Sequence, residues 1–165
     1  MDLTSPMHIG TKIKKIDISL EKNTEIISKN ISNFLTKGDV VYLIGELGVG
    51  KTTFVRFVIN HLQEKFKLEL TEIPSPTFSI VNEYKFKDYK IMHYDLYRIK
   101  DDSELKNIGI FENDNDSILF IEWPEVIKKK PKKLIELNFN YEENLNKRSL
   151  IISSKYKKKF FNEFK

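Results

Sequence analysis

The 165-residue sequence contains no cysteine, which excludes both a disulfide framework and a thiolate metal site. It also lacks any apolar run that approaches membrane-spanning length. Residues 1–7 show no basic segment followed by an apolar one, so we do not expect a secretory signal. We therefore expect a cytoplasmic protein that has no membrane partner.

Basic residues only slightly outnumber acidic ones, which gives a formal net charge of +4 and a pI near 9.0. This balance permits an anionic partner without requiring one. The basic residues concentrate in two places: residues 128–133 include five lysines, and residues 155–165 include five more. We interpret both clusters as solvated surface, and a face turned toward RNA or an acidic protein is the alternative.

One glycine-rich segment is the most informative part of the chain. It has the complete pattern G-x-x-x-x-G-K-[ST], formed by Gly45, Glu46, Leu47, Gly48, Val49, Gly50, Lys51 and Thr52. The apolar, β-branched run Val40–Ile44 precedes it, and residues 53–62 follow it with helical spacing. In a strand–loop–helix context, the backbone N–H groups of such a loop surround phosphate oxygens. We predict that Lys51 reaches the β- and γ-phosphates and that Thr52 ligates Mg²⁺.

The rest of the chain alternates between strand and helix patterns, which predicts an α/β fold of one domain, 1–165. Specifically, we predict a three-layer fold like that of P-loop NTPases, with a mixed, mainly parallel central sheet. Predicted strands are Lys12–Ile18, Val40–Ile44, Thr77–Phe86, Lys90–Ile99, Ser117–Glu122, Leu134–Tyr141 and Arg148–Ser153, the third and fourth forming an antiparallel hairpin. Predicted helical segments are Ser19–Thr36, residues 53–62, Ser103–Asn107, Pro124–Lys130 and Tyr156–Phe164. We expect Gly38 to end the first of them and residues 1–12 to form a flexible extension.

Two carboxylates follow predicted strands and are candidates for the metal and water side of a nucleotide site. Glu122 ends the apolar run 118–121, and Asp95 ends the less apolar run 91–94. Ligands of open α/β sheets bind beyond the carboxyl ends of the strands. Spacing alone favours Glu122, although the two could act together, and an acid exposed at a strand end is the alternative for each.

Three further features have two interpretations each. The segment 75–78, Ser-Pro-Thr-Phe, could be a switch loop or an ordinary turn. His93 could be a general base or metal ligand, or a hydrogen-bonded structural group. Residues 36–39, Thr-Lys-Gly-Asp, are similar to a guanine-recognition motif but precede the phosphate loop, so we interpret Gly38 as a helix cap.

Four blocks in order resemble the TsaE (YjeE) family of bacterial ATPases, which are needed to make threonylcarbamoyladenosine in tRNA. They are Gly-Glu-Leu-Gly-Val-Gly-Lys-Thr-Thr-Phe at 45–54, Ser-Pro-Thr-Phe at 75–78, His-x-Asp-Leu-Tyr-Arg at 93–98 and Glu-Trp-Pro-Glu at 122–125. Asn23 and Thr24 also resemble the N-terminal segment of that family. The departures are small, since the family often has Asp at the position of Glu46 and Ala at that of Val49.

The resemblance implies that the chain binds and hydrolyses ATP with Mg²⁺ and that Lys51, Thr77, Asp95 and Glu122 are catalytic. Thr52, Asp95 and Glu122 would hold the metal, and Thr24, Thr53 and Trp123 would join the phosphate loop in binding the nucleotide. For Trp123, a contact at the partner surface and a core position are the alternatives. The family's partners are TsaD and TsaB, and tRNA would be met indirectly through their complex.

Two other functions stay open at this point. A small-molecule kinase should have a basic lid, but Arg98 is the only arginine between Thr71 and Asp116. A nucleotide-dependent binding module, in which hydrolysis is incidental, is the second alternative.

Overall fold

The structure is a computed structural model that describes residues 12–112 and 114–157. Its strands are β1 (Lys12–Asp17), β2 (Val40–Ile44), β3 (Val81–Lys85), β4 (Lys90–Asp95), β5 (Ser117–Glu122), β6 (Leu134–Glu142) and β7 (Lys147–Ser154). Its helices are α1 (Glu21–Ser32) and α2 (Lys51–Lys65). Three short 3-10 segments cover Asp102–Lys106, Asp114–Asp116 and Pro124–Val126.

The seven strands form one sheet in the order β1-β7-β6-β2-β5-β4-β3. The central pairs β6–β2, β2–β5 and β5–β4 are parallel, whereas β1–β7, β7–β6 and β4–β3 are antiparallel. The predicted α/β class, mixed sheet and β3–β4 hairpin are therefore confirmed.

Alternation along β2 explains why this strand lies at the centre. Val41 and Leu43 pack with α1 and α2 in one core, while Val40 and Tyr42 pack into a second core on the opposite face. Because both faces of the strand are covered, its sequence is a continuous apolar run rather than an alternating one. The second face is closed by residues from the 3-10 segments and loops, among them Leu105 and Ile127.

The structure corrects the prediction for Gly38. The helix α1 ends at Ser32, with Asn33 as its C-cap in a right-handed conformation. Gly38, with a φ of 82°, lies five residues later in the turn that enters β2. Amphipathic spacing continued past the true end of the helix because Phe34 and Leu35 still pack against the core.

The predicted closing helix Tyr156–Phe164 falls outside the described residues beyond Lys157, as do residues 1–11. Within the described part of the chain, no helix is both long and apolar enough to cross a membrane.

Candidate nucleotide-binding site

The glycine loop lies where the sequence placed it, between the carboxyl end of β2 and the first turn of α2. Gly45, Gly48 and Gly50 all have positive φ, with values of 145°, 75° and 115°. At Gly45 a Cβ atom would lie 2.4 Å from the carbonyl oxygen of Phe139. Glycine is therefore required there by close packing as well as by backbone conformation.

The Lys51 side chain is folded back into this loop and is buried. Its Nζ donates hydrogen bonds to the carbonyl oxygens of Gly45, at 2.6 Å, and Glu46, at 2.9 Å. Burial lowers the pKa of Lys51, and the nearby carboxylates of Glu122 and Asp95 oppose that shift. The ammonium is thus a desolvated cation whose hydrogen bonds go to neutral carbonyl oxygens, a setting that favours an anionic ligand.

The two predicted carboxylates are register partners on adjacent parallel strands. Asp95 at the end of β4 pairs with Glu122 at the end of β5, and both side chains are buried. The Thr52 hydroxyl donates to Oε1 of Glu122 at 2.8 Å, which connects the glycine loop to β5. The Thr77 hydroxyl donates to Oδ2 of Asp95 at 2.8 Å, which connects the segment 75–78 to β4.

These side chains line a cleft of about 140 Å³. Its lining comprises Leu47, Gly48, Gly50, Lys51, Thr52, Thr53, Ser75, Thr77, Asp95, Glu122 and Trp123. A larger cavity of about 480 Å³ lies between the segment 102–112 and residues 127–129, and its lining includes no residue of the glycine loop. We assign the site to the smaller cleft, because it combines residues of the phosphate loop with the paired acids.

Some predicted nucleotide-binding residues do not line this cleft. Gly45 and Glu46 instead offer their carbonyl oxygens to Lys51, and Val49 is buried in the core. Thr24 is buried on α1 and is not among the cleft residues. Its role in nucleotide binding stays a prediction.

Trp123 turns the chain out of β5 with a φ of 57° and is only partly buried. Its ring lies 4.0 Å from Nζ of Lys51 and 5.0 Å from the Tyr97 ring, measured to the ring centroids. Trp123 is thus a wall of the cleft that also packs against the second core, and its role in nucleotide binding stays a prediction.

His93 is the site residue whose place the sequence left undecided. It is fully buried on β4, and its Nε2 lies 2.9 Å from Oε1 of Glu122. The available signal was the two-residue spacing from Asp95, since side chains at i and i+2 of a strand share a face.

Oxygen ligands of the right kind for Mg²⁺ meet at this end of the sheet. Magnesium in phosphate sites takes one or two carboxylates together with phosphate oxygens and water. Thr52, Asp95 and Glu122 fit that pattern. Among the described residues, no cluster of three or more His, Cys, Asp or Glu side chains could hold a metal by itself.

The sequence model of the family described as "Threonylcarbamoyl adenosine biosynthesis protein TsaE" matches residues 18–150. The chain belongs to the TsaE family. This confirms the resemblance that the four sequence blocks carry.

Several relatives share the name "tRNA threonylcarbamoyladenosine biosynthesis protein TsaE". One from Rickettsia felis is 40% identical over 136 residues, which cover 81% of this chain and 77% of the relative. One from Haemophilus influenzae is 35% identical over 130 residues, covering 78% and 79%. One from Aquifex aeolicus is 35% identical over 113 residues, covering 68% and 78%.

The crystal structure of Bacillus subtilus YdiB has the same fold, with a TM-score of 0.67. The alignment covers 93% of this chain and 94% of that one, at 21% sequence identity. The P-loop NTPase-like architecture predicted from the sequence is therefore confirmed. The four TsaE blocks, far apart in the chain, meet at the cleft: Lys51 and Thr52, Thr77, Asp95, and Glu122 with Trp123.

Proposed function

We propose that this TsaE-family chain is an Mg²⁺-dependent ATPase subunit of the tRNA threonylcarbamoyladenosine machinery, acting with TsaD and TsaB. One observation carries the proposal: two buried carboxylates, Asp95 and Glu122, meet beside Lys51 and each accepts a hydrogen bond from a threonine hydroxyl. Phosphoryl transfer needs a cradle, a metal carboxylate and a group that positions water, and this arrangement offers a candidate for each.

The phosphate side of the cleft is formed by the loop and the start of α2. Backbone N–H groups at the start of a helix attract anions. Phosphate oxygens would replace the carbonyl oxygens of Gly45 and Glu46 as acceptors for the Lys51 ammonium. Because those carbonyls are neutral and phosphate is charged, the exchange gives stronger hydrogen bonds.

The two carboxylates have different neighbours, which suggests different roles. Glu122 is bonded to Thr52, the hydroxyl expected on Mg²⁺, so we assign Glu122 to the metal side. Asp95 is bonded to Thr77, so we assign it to the attacking water. Bound Mg²⁺ would supply neutralisation of phosphate charge, and the protein's own share is positioning.

The segment 75–78 has the contacts expected of a nucleotide sensor. The hydroxyls of Ser75 and Thr77 form a hydrogen bond of 2.8 Å with each other. The Thr77 hydroxyl also donates a hydrogen bond to Asp95. A γ-phosphate in the cleft would compete for these hydroxyls. The segment would then change its contacts between the two nucleotide states, as a switch requires.

Exposed apolar side chains around the cleft favour action within a complex. The exposed fractions are 80% for Leu47, 86% for Phe78 and 62% for Tyr97. Such residues next to a polar site are typical of a surface that a partner covers. We place the docking surface for TsaD and TsaB there, and contact with tRNA would then be indirect.

Hydrolysis measurements separate this function from its alternatives. We expect slow ATP hydrolysis by the isolated chain and faster hydrolysis when TsaD and TsaB are added. Phosphate transfer to a small-molecule acceptor would support a kinase instead. ATP binding without hydrolysis in either setting would support a binding module.

Association measurements test the switch in the same system. We expect TsaD–TsaB to bind more tightly with ATP than with ADP or without nucleotide. Thr77→Ala should weaken this ATP-dependent association more than it weakens ATP binding itself. Equal partner affinity in all three nucleotide states would make the chain a constitutive subunit and contradict the switch.

A further inference from the structure

The imidazole of His93 is built into the site but has no part in the chemistry described so far. The ring is completely buried, and Nε2 lies 2.9 Å from Oε1 of Glu122. The same carboxylate oxygen accepts a hydrogen bond from the Thr52 hydroxyl. The other ring nitrogen, Nδ1, is buried without a hydrogen-bond partner among residues 12–112 and 114–157.

We propose that His93 is a positioning residue that fixes Glu122 and, through it, the Thr52 hydroxyl. The inference rests on the proposed function, because it concerns how the chain prepares its own magnesium ligands. The order of contacts is His93 Nε2, Glu122 Oε1 and Thr52 Oγ1, all within hydrogen-bond distance.

The geometry determines which ring nitrogen carries the proton. An ionised carboxylate only accepts hydrogen bonds, so Nε2 must be the donor. A ring that donates from Nε2 to Glu122 therefore fits this contact.

This hydrogen bond has a consequence for metal binding. It holds the carboxylate of Glu122 in the orientation in which the same oxygen also contacts Thr52. Glu122 in turn accepts the hydrogen bond that the Thr52 hydroxyl donates, which leaves the lone pairs of that hydroxyl oxygen available to a cation. Donors behind a metal ligand commonly affect metal affinity by about 10–100-fold, although they never touch the metal.

Variants of the full chain can separate positioning from simple core filling. His93→Leu removes the donor and keeps an apolar side chain of similar bulk. His93→Gln places an amide N–H the same number of bonds from Cβ as Nε2, so it should restore the contact. Ile91→Val serves as the matched control, since Ile91 is fully buried on the same strand and its side chain makes no hydrogen bond.

The readout is the fluorescence of Trp123, the only tryptophan of the chain, during Mg²⁺ titration at a fixed concentration of the β,γ-imido analogue of ATP. For His93→Leu we expect the half-saturating Mg²⁺ concentration to rise by about tenfold or more. Affinity for the nucleotide without Mg²⁺ should change less than about twofold, since Lys51 and the loop N–H groups are untouched. His93→Gln should lie within about threefold of the native chain, and Ile91→Val should match it.

Thermal unfolding of each variant shows whether loss of stability alone accounts for a shift. If His93→Leu does not fold, His93→Asn takes its place, because its amide is one bond too short to reach Glu122. An unchanged Mg²⁺ requirement in His93→Leu, or an equal shift in Ile91→Val, would overturn this inference alone. A native chain that shows no response to Mg²⁺ and nucleotide would overturn the proposed function, and this inference with it.

Discussion

Lys51 shows how a single residue can be costly to the free protein and useful to the site. Its ammonium is buried between two carbonyl oxygens and the Trp123 ring. Burial lowers its pKa, which means that the charged form is less stable here than in water. A bound triphosphate would supply the negative charge that this desolvated cation lacks.

Lys51→Ala should weaken ATP binding by at least about tenfold, because a hydrogen bond between charged groups contributes about 1.5–3 kcal/mol. Thr52→Ala should instead weaken Mg²⁺-dependent binding and leave binding without Mg²⁺ nearly unchanged. Calorimetric titrations with ATP, each with and without Mg²⁺, distinguish the two effects. Native affinity and turnover in Lys51→Ala would refute the assignment of the phosphate loop.

Glu122→Gln should bind ATP but hydrolyse it at least about tenfold more slowly. The amide keeps the shape of the side chain but loses the charge that attracts the metal. Asp95→Asn is the matched comparison, because it makes the same change on the adjacent strand. Steady-state hydrolysis at saturating ATP decides between them, and normal turnover in Glu122→Gln alone would move the essential role to Asp95.

At the scale of elements, the site is assembled by strand register. β4 and β5 are parallel, and their first residues, Lys90 and Ser117, are register partners. Their last residues, Asp95 and Glu122, are therefore neighbours as well. The glycine loop leaves the adjacent strand β2 at the same end of the sheet. No single element holds the site, so its geometry depends on how these three strands pair.

The junction of β2 with the glycine loop should be the most sensitive point of this arrangement. Gly45→Ala combines a positive φ with a Cβ atom 2.4 Å from the Phe139 carbonyl oxygen on β6. Gly50→Ala has a positive φ of 115° but meets nothing within 4 Å. Backbone strain alone costs about 1–3 kcal/mol, so Gly45→Ala should lose more unfolding free energy than Gly50→Ala. Urea unfolding measures both, and equal losses would show that the contact with Phe139 relaxes freely.

The sequence predicted the elements that carry strong local patterns. The strand–loop–helix unit, the β3–β4 hairpin and the two strand-end acids all follow from spacing and from turn residues. Local patterns could not fix the end of α1, since Phe34 and Leu35 continue the apolar stripe after the helix has stopped. The contact between His93 and Glu122 was also beyond reach, because it joins residues 29 positions apart through a parallel pairing.

At the scale of the whole molecule, the surfaces at the two ends of the parallel strands differ in chemistry. The cleft lies at the carboxyl ends of the parallel strands, where Asp95 and Glu122 are found. The lysine-rich residues 128–133 lead into the start of β6, at the opposite end of the parallel strands. Four of these five lysines form no ion pair among the described residues, since only Lys130 pairs with an acid, Glu136. The lysine cluster is therefore separate from the nucleotide cleft, at the other end of the parallel strands.

The segment 36–39 precedes β2 and so lies at the end of this strand opposite the cleft. This position is relevant to whether the segment can contact the base of a bound nucleotide. Asp39 is fully buried and accepts hydrogen bonds from the backbone N–H of Thr36, the Tyr156 hydroxyl and the Lys157 ammonium. Its carboxylate thus connects the turn before β2 to the end of the described chain. A base bound with its phosphates in the glycine loop could not reach it through the length of β2.

Asp39→Asn should therefore reduce stability and leave nucleotide selection unchanged. Removing one charge of a buried pair leaves the other uncompensated, at a cost of about 3 kcal/mol. Glu136→Gln is the control, since it breaks the ion pair with Lys130 at the same end of the sheet. The Lys130 side chain is 65% exposed, and exposed ion pairs contribute about 0–1 kcal/mol to stability. Urea unfolding tests the first expectation, and competition between ATP, GTP and XTP tests the second. We expect the native chain and both variants to prefer ATP. If the native chain instead preferred GTP, and Asp39→Asn shifted that preference to XTP, residues 36–39 would be shown to recognise a guanine base.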